Sequence, residues 1–139
     1  MEKTIYIADD EPSVLEVLSA FLRRDGFAVR IFPDGKALLA ACARELPDLV
    51  VLDVVMPGMD GLHVCRALRR AYSHLPVIFI SSKVSAGDRA AGMAAGGSDY
   101  LCKPFSPPLL SARISALLQK RSCTDAVSRR ECAAGGAGD

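Results

Sequence analysis

The sequence predicts an α/β fold: a parallel sheet with helices on both faces. Three observations carry the prediction. Short apolar runs of strand length alternate along the chain with stretches of helical periodicity. One run, LVVLDVV, is rich in valine and shows no polar alternation, as expected of a strand covered on both faces. Turn and cap residues stand where the period changes, among them Gly26, the Pro33-Asp34-Gly35 triplet and Pro57-Gly58.

Each element follows in order. TIYIAD (4–9) is a buried strand. PSVLEVLSAFLRRDG (12–26) is a helix with Val14, Leu15, Leu18, Phe21 and Leu22 as its apolar stripe, Pro12 in its first turn and Gly26 at its C-terminal cap. FAVRIF alternates and reads as a strand nearer an edge. KALLAACAREL is the second helix and DLVVLDVV the third strand. After the MPGMDG loop, Leu62, Val64, Cys65 and Leu68 mark a third helix. PVIFIS is the fourth strand. AGDRAAGMAAGG is a poor helix, because Gly87 and Gly92 each cost about 1 kcal/mol against Ala. DYLC is the fifth strand. The last helix opens with Ser106 as cap and Pro107 just inside, and Leu110, Ile114, Leu117 and Leu118 form its stripe. From Ser122 the apolar period stops, so residues 1–121 are expected to form one domain and 122–139 a flexible tail or linker.

Composition narrows the function. Half of the residues are hydrophobic, which argues against disorder, and a net charge of +1 leaves no electrostatic footprint for nucleic acid. No run reaches membrane-spanning length and the first residues lack a signal-peptide core, so a cytoplasmic protein is expected. The five cysteines (Cys42, Cys65, Cys102, Cys123 and Cys132) have no metal-ligand spacing, and Cys42, Cys65 and Cys102 read as packing residues. His63 and His74 read as surface positions. The Arg23-Arg24, Arg69-Arg70 and Arg129-Arg130 pairs read as solvated charge.

In a parallel sheet with right-handed crossovers, all strand C-terminal ends share one edge, where ligands bind. On this chain that edge would collect Asp9 and Asp10 from the first strand, Asp53 from the third, Ser81 from the fourth, and Cys102 and Lys103 from the fifth. The first loop is acidic and lacks a glycine-rich phosphate cradle, so it would repel a nucleotide unless a cation intervened. Carboxylates without histidine suit a hard cation, Mg2+ or Mn2+. Asp53, ionised if it titrates near the usual ~3.9, could attack a phosphoryl group directly. Lys103 would offset the charge gained, and Ser81 could donate a hydrogen bond to a phosphoryl oxygen.

The segments ADDEP, LVVLDVVMPGMDGL, PVIFISS and GGSDYLCKPFSPPLL together resemble response regulator receiver domains of two-component signalling, over about Lys3 to Arg121. The resemblance implies a flavodoxin-like (βα)5 fold with strand order 2-1-3-4-5. It makes Asp53 the phosphoacceptor, Asp10 and Asp53 direct ligands of Mg2+, Asp9 a ligand acting mostly through water, and the Val55 carbonyl a further ligand. It makes Lys103 the phosphoryl partner, with a cis bond before Pro104, Ser81 the switch hydroxyl and Tyr100 the switch aromatic. The phosphoryl donor would be a phosphohistidine of a sensor histidine kinase or phosphotransfer protein.

The last third is similar to receivers of winged-helix transcriptional regulators. That likeness implies a phosphorylation-dependent homodimer through Arg89, Asp99 and Arg113 on the face of helix four, strand five and helix five; the receiver either stands alone or is followed by a C-terminal DNA-binding output domain, and the Ala/Gly-rich tail suits both. Leu109 stands where the subgroup usually has the acid that pairs with Arg89. Gly97 replaces a more usual alanine and is expected to loosen the approach to strand five. Two other readings are a metal-dependent aspartyl-phosphate phosphatase or phosphotransferase acting on a free substrate, and a pseudo-receiver that binds partners without phosphorylation. Val55 two residues after Asp53, where such phosphatases usually carry a second acid, speaks against the first. The intact acid, serine and lysine set speaks against the second.

Overall fold

The computed structural model describes residues 2–133, with side chains described through Lys120. Ten elements alternate strictly: β1 (Thr4–Ala8), α1 (Pro12–Arg24), β2 (Ala28–Phe32), α2 (Gly35–Arg44), β3 (Leu49–Asp53), α3 (Gly61–Ala71), β4 (Val77–Ser81), α4 (Ala86–Ala94), β5 (Asp99–Cys102) and α5 (Pro107–Ala133). The five strands form one parallel sheet in the order β2-β1-β3-β4-β5. That is the order the receiver likeness implies, and it leaves β2 at one edge as its alternating pattern suggested.

The apolar residues of the central strands divide between two cores. Ile5 and Ile7, Leu49 and Val51, and Ile78 and Ile80 pack with Leu15, Leu18 and Leu22 of α1 and Leu110, Ile114 and Leu118 of α5. The intervening Tyr6, Ala8, Val50, Leu52, Val77 and Phe79 pack with Leu38 and Cys42 of α2, Val64, Cys65 and Leu68 of α3, and Tyr100. Successive side chains of a strand point to opposite faces, so a run buried on both shows no alternation. Each fully buried Leu, Ile, Val or Phe contributes roughly 1.5–3 kcal/mol, so this double core dominates the fold's stability.

Local signals behave as physical chemistry requires. Pro12 opens α1, and Gly26 follows its Asp25 cap with φ of 97°. Asp34 and Asp60 cap α2 and α3 by accepting from the Ala37 and His63 amides. The Ser106 hydroxyl accepts from the Leu109 amide at the start of α5. Ser111 of α5 donates to the Asp25 carboxylate, tying that helix to the end of α1.

Two expectations need correction, those for the arginine pairs and for Gly97. Arg23 and Arg69 are not simply solvated: Arg23 donates to the Val29 carbonyl, and Arg69 to the carbonyls of Gly96, Tyr72 and Ser73. His63 is exposed, as expected, but its ring pairs with Asp60. Gly97 does not loosen the approach to β5. A Cβ there would lie 2.6 Å from Phe79 Cε2 and 3.0 Å from the Gly92 carbonyl, so the missing methyl is what lets the buried Phe79 ring fit. The backbone of α5 runs as helix to Ala133. Helix propensity can extend a helix where no apolar stripe signals it. The rest of the expected tail, together with the side chains of Cys123, Cys132, Arg129 and Arg130, lies outside what is described.

Candidate functional site

The parallel strands bring their C-terminal ends to one edge, and the expected groups meet there. Oxygen atoms of Asp9, Asp10 and Asp53 all lie within 4.8 Å of one another. Asp9, just past β1, is fully buried, Asp53 at the end of β3 is only 3% exposed, and Asp10 faces solvent. Lys103 reaches across from the end of β5. Its Nζ donates to Asp9 Oδ2 at 2.9 Å and to Asp53 Oδ2 at 3.3 Å, and lies 3.7 Å from Glu11. The peptide bond between Lys103 and Pro104 is cis, as the receiver likeness implied.

Backbone donors hold the two buried acids. The Glu11 amide donates to Asp9 Oδ1 at 2.9 Å, and the Val55 amide to Asp53 Oδ1 at 3.2 Å. Both Asp9 oxygens are thus engaged, which suits a role behind the ligand shell. Gly61 brings the start of α3 against the end of β3. A Cβ there would lie 2.4 Å from the Asp53 carbonyl oxygen, and the Gly61 amide donates to the Val54 carbonyl at 2.9 Å. Sequence reasoning placed Gly61 only in a loop; its position just after the Asp60 cap was the available signal.

The electrostatics depart from the ordinary value assumed for Asp53. Burial first, and the neighbouring Asp9 charge second, push its carboxyl from 3.8 up to about 6, against the opposing pull of Lys103 and the Val55 amide. Asp53 is still mostly ionised at neutral pH. Burial alone would lower the Lys103 ammonium, but its bond to Asp9 and the fields of Asp53 and Asp9 outweigh that and raise it. The lysine is therefore a fixed cation.

A cavity of about 880 Å³ opens over these groups. Asp10, Asp53 and Lys103 form its polar floor, and Val14, Val17 and Phe105 are among its apolar walls. Ser82 and Lys83 line it, whereas Ser81 is fully buried behind them and its Oγ accepts from the Lys83 amide at 3.0 Å. The same Lys83 residue accepts at its carbonyl from the Tyr100 hydroxyl at 2.6 Å. Tyr100 is therefore already inward, 6% exposed, with its ring 6.1 Å from that of Phe79. Gly92 makes room for it: a Cβ there would lie 2.9 Å from Tyr100 Cδ2.

On the neighbouring face, Asp99 and Arg113 pair within the chain at 2.8 Å. Arg89 stands apart from that pair. It rests against Cys102 and over the Tyr100 ring, while Leu109 is 40% exposed. Cys42 and Cys65 are buried and free, as packing residues should be.

The arrangement is an acid cluster with one fixed cation at the carboxyl edge of a doubly wound sheet, chemistry suited to binding a hard cation beside a phosphoryl group. The model of the response regulator receiver domain matches residues 5–115. The chain is 42% identical over 121 residues to the probable transcriptional regulatory protein TcrX of Mycobacterium tuberculosis, covering 87% of this chain and 52% of that protein. It is 41% identical over 120 residues to the DNA-binding response regulator MtrA of Mycolicibacterium smegmatis, covering 86% and 52%. It thus spans about half the length of these relatives. The BeF3-activated receiver domain of DrrB superposes with a TM-score of 0.80 at 30% identity, over 86% of this chain and 99% of that domain. With the fold, the strand-end chemistry and these likenesses in agreement, the chain belongs to the response regulator receiver domain family.

Proposed function

We propose that Asp53 is the phosphoacceptor of this receiver, taking a phosphoryl group from a phosphohistidine on a sensor histidine kinase or phosphotransfer protein. The convergence of Asp9, Asp10, Asp53 and Lys103 from three strand ends at one edge carries this reading. An Asp53 carboxylate oxygen attacks phosphorus, the phosphorus–nitrogen bond breaks, and the imidazole leaves with the electron pair. The product is an aspartyl phosphate. Lys103, already beside Asp53, is placed to face the phosphoryl oxygens, and the cavity admits the donor side chain.

The donor set fits a hard divalent cation: three carboxylates whose oxygens converge, with no histidine or thiol among them. Asp10 and Asp53 would hold Mg2+ or Mn2+ directly, with the Val55 carbonyl, and Asp9 from behind. When bound, the ion offsets the negative charge on the transferring group. Asp53 supplies the nucleophile and Lys103 a fixed charge. Ser81, whose Oγ accepts from the Lys83 amide, would donate its hydroxyl proton to a phosphoryl oxygen, shifting the Lys83 segment that Tyr100 also grips. That linkage would carry phosphorylation to α4, β5 and α5.

The relatives are longer, and some are described as DNA-binding. A DNA-binding output domain and a phosphorylation-dependent dimer through Arg89, Asp99 and Arg113 are consistent with that likeness. Asp99 and Arg113 already pair within one chain, so a dimer would have to share or re-partner them. No described helix is long and apolar enough to cross a membrane, consistent with work in the cytoplasm.

Incubation with acetyl phosphate and Mg2+, read by intact mass, tests the reading. Gain of one phosphoryl group that is lost with EDTA and in Asp53→Ala supports it. A gain that survives Asp53→Ala would overturn it.

A further inference from the structure

We propose that Arg89 acts inside the chain, as a positioning residue that holds Tyr100 inward before any phosphoryl group is present. The idea rests on the reading of Tyr100 as the switch aromatic. The receiver likeness assigned Arg89 to a bridge across a dimer, but the acid expected to receive it is Leu109 here, 40% exposed. Arg89 instead folds back on its own domain. Its guanidinium carbon lies 5.7 Å from the centre of the Tyr100 ring, and its Nη2 donates to the Sγ of Cys102. Cys102 and Tyr100 lie two residues apart on β5, so their side chains leave the same face of the sheet. One planar cation from α4 therefore covers two side chains of β5 at once.

The contact has a mechanical consequence. Tyr100 is gripped by the Lys83 carbonyl at its hydroxyl, backed by Phe79, and accommodated by the absence of a Cβ at Gly92. Arg89 adds a guanidinium over the face of the same ring. A guanidinium stacks on an aromatic face as well as carrying charge, and a lysine would supply only the charge. The inward state is thus favoured by a contact from α4 that involves none of the clustered acids. Loss of Arg89 should shift the inward-to-outward ratio of Tyr100 roughly two- to fivefold, the effect of one exposed cation–aromatic contact.

The test uses the full chain labelled with fluorotyrosine, without metal or phosphate analogue, at a concentration where it is monomeric. Tyr6 and Tyr72 serve as internal references for an intact fold, and Tyr100→Phe assigns the signal. Arg89→Ala should move the Tyr100 resonance toward its solvent-exposed position, and Arg89→Lys should recover part of the shift. Arg113→Ala, which removes the Asp99 pair on the same face, should leave the resonance in place. A Tyr100 signal unchanged by Arg89→Ala, or moved equally by Arg113→Ala, would overturn the proposal. Phosphoryl gain at Asp53 is read separately by mass. Failure of that assay with a normal Arg89 response would sink the receiver chemistry and leave the clamp standing.

Discussion

Replacing Asp53 by Asn should stabilise the metal-free protein. The perturbation removes a charge and keeps the shape. Folding raises the Asp53 carboxyl from 3.8 to about 6, with burial first and Asp9 second as causes. An acid raised by folding binds protons more tightly in the native state. Stability on its account is therefore highest at low pH, falls as pH rises through the window from about 4 to about 6, and stays low above it. At about 1.4 kcal/mol per pH unit, a rise of about two units amounts to roughly 3 kcal/mol. Asn removes that penalty but gives Lys103 a weaker acceptor at 3.3 Å, while the 2.9 Å bond to Asp9 remains. A net gain of about 2 kcal/mol at neutral pH, or roughly 6 °C in melting temperature, is expected. Thermal unfolding by circular dichroism in EDTA, across the pH range, is the assay. The gain should disappear on acidification below about pH 4. Saturating Mg2+ should reverse the order, because the ion stabilises the wild type by mass action and the variant lacks one carboxylate. An Asn variant less stable than wild type at neutral pH in EDTA, or a difference flat with pH, would refute the reasoning.

Three further outcomes follow from the same geometry. Lys103→Ala leaves Asp9 and Asp53 buried without their cation and should destabilise the metal-free protein by about 3 kcal/mol near neutral pH, less in acid, as seen in urea unfolding. Gly97→Ala should cost roughly 1–3 kcal/mol by the same measurement, and adding Phe79→Leu should recover part of the loss, because the new methyl would meet the Phe79 ring. Amides of α4 should exchange hydrogen faster than those of α1, α2 and α3, because α4 buries only Gly92; mass spectrometry of exchanged peptides reads this, and equal rates would argue against α4 as the element that moves.

The strands and the acid cluster were legible because both follow from position. Apolar runs fix the strands, parallel crossovers align their ends, and Asp9, Asp53 and Lys103 then meet without any side-chain detail. Features set by three-dimensional fit were not legible. Gly97 reads as a loosening residue until the Phe79 ring is seen in the space a methyl would take. Arg23 and Arg69 read as surface charge because nothing in sequence marks the carbonyls they cap. The burial that raises Asp53 depends on how deeply the β3 end sits, which no local pattern records. Arg89 was assigned outward by likeness, and only the missing acid at Leu109 hinted that it could fold back.

The central claim is that Asp53 carries the phosphoryl group. Its most direct test is to phosphorylate the chain with acetyl phosphate and Mg2+, reduce the acyl phosphate with borohydride, and map the resulting homoserine by peptide sequencing. The account predicts homoserine at position 53 and nowhere else. Homoserine at position 9 or 10, with Asp53 intact, would contradict it.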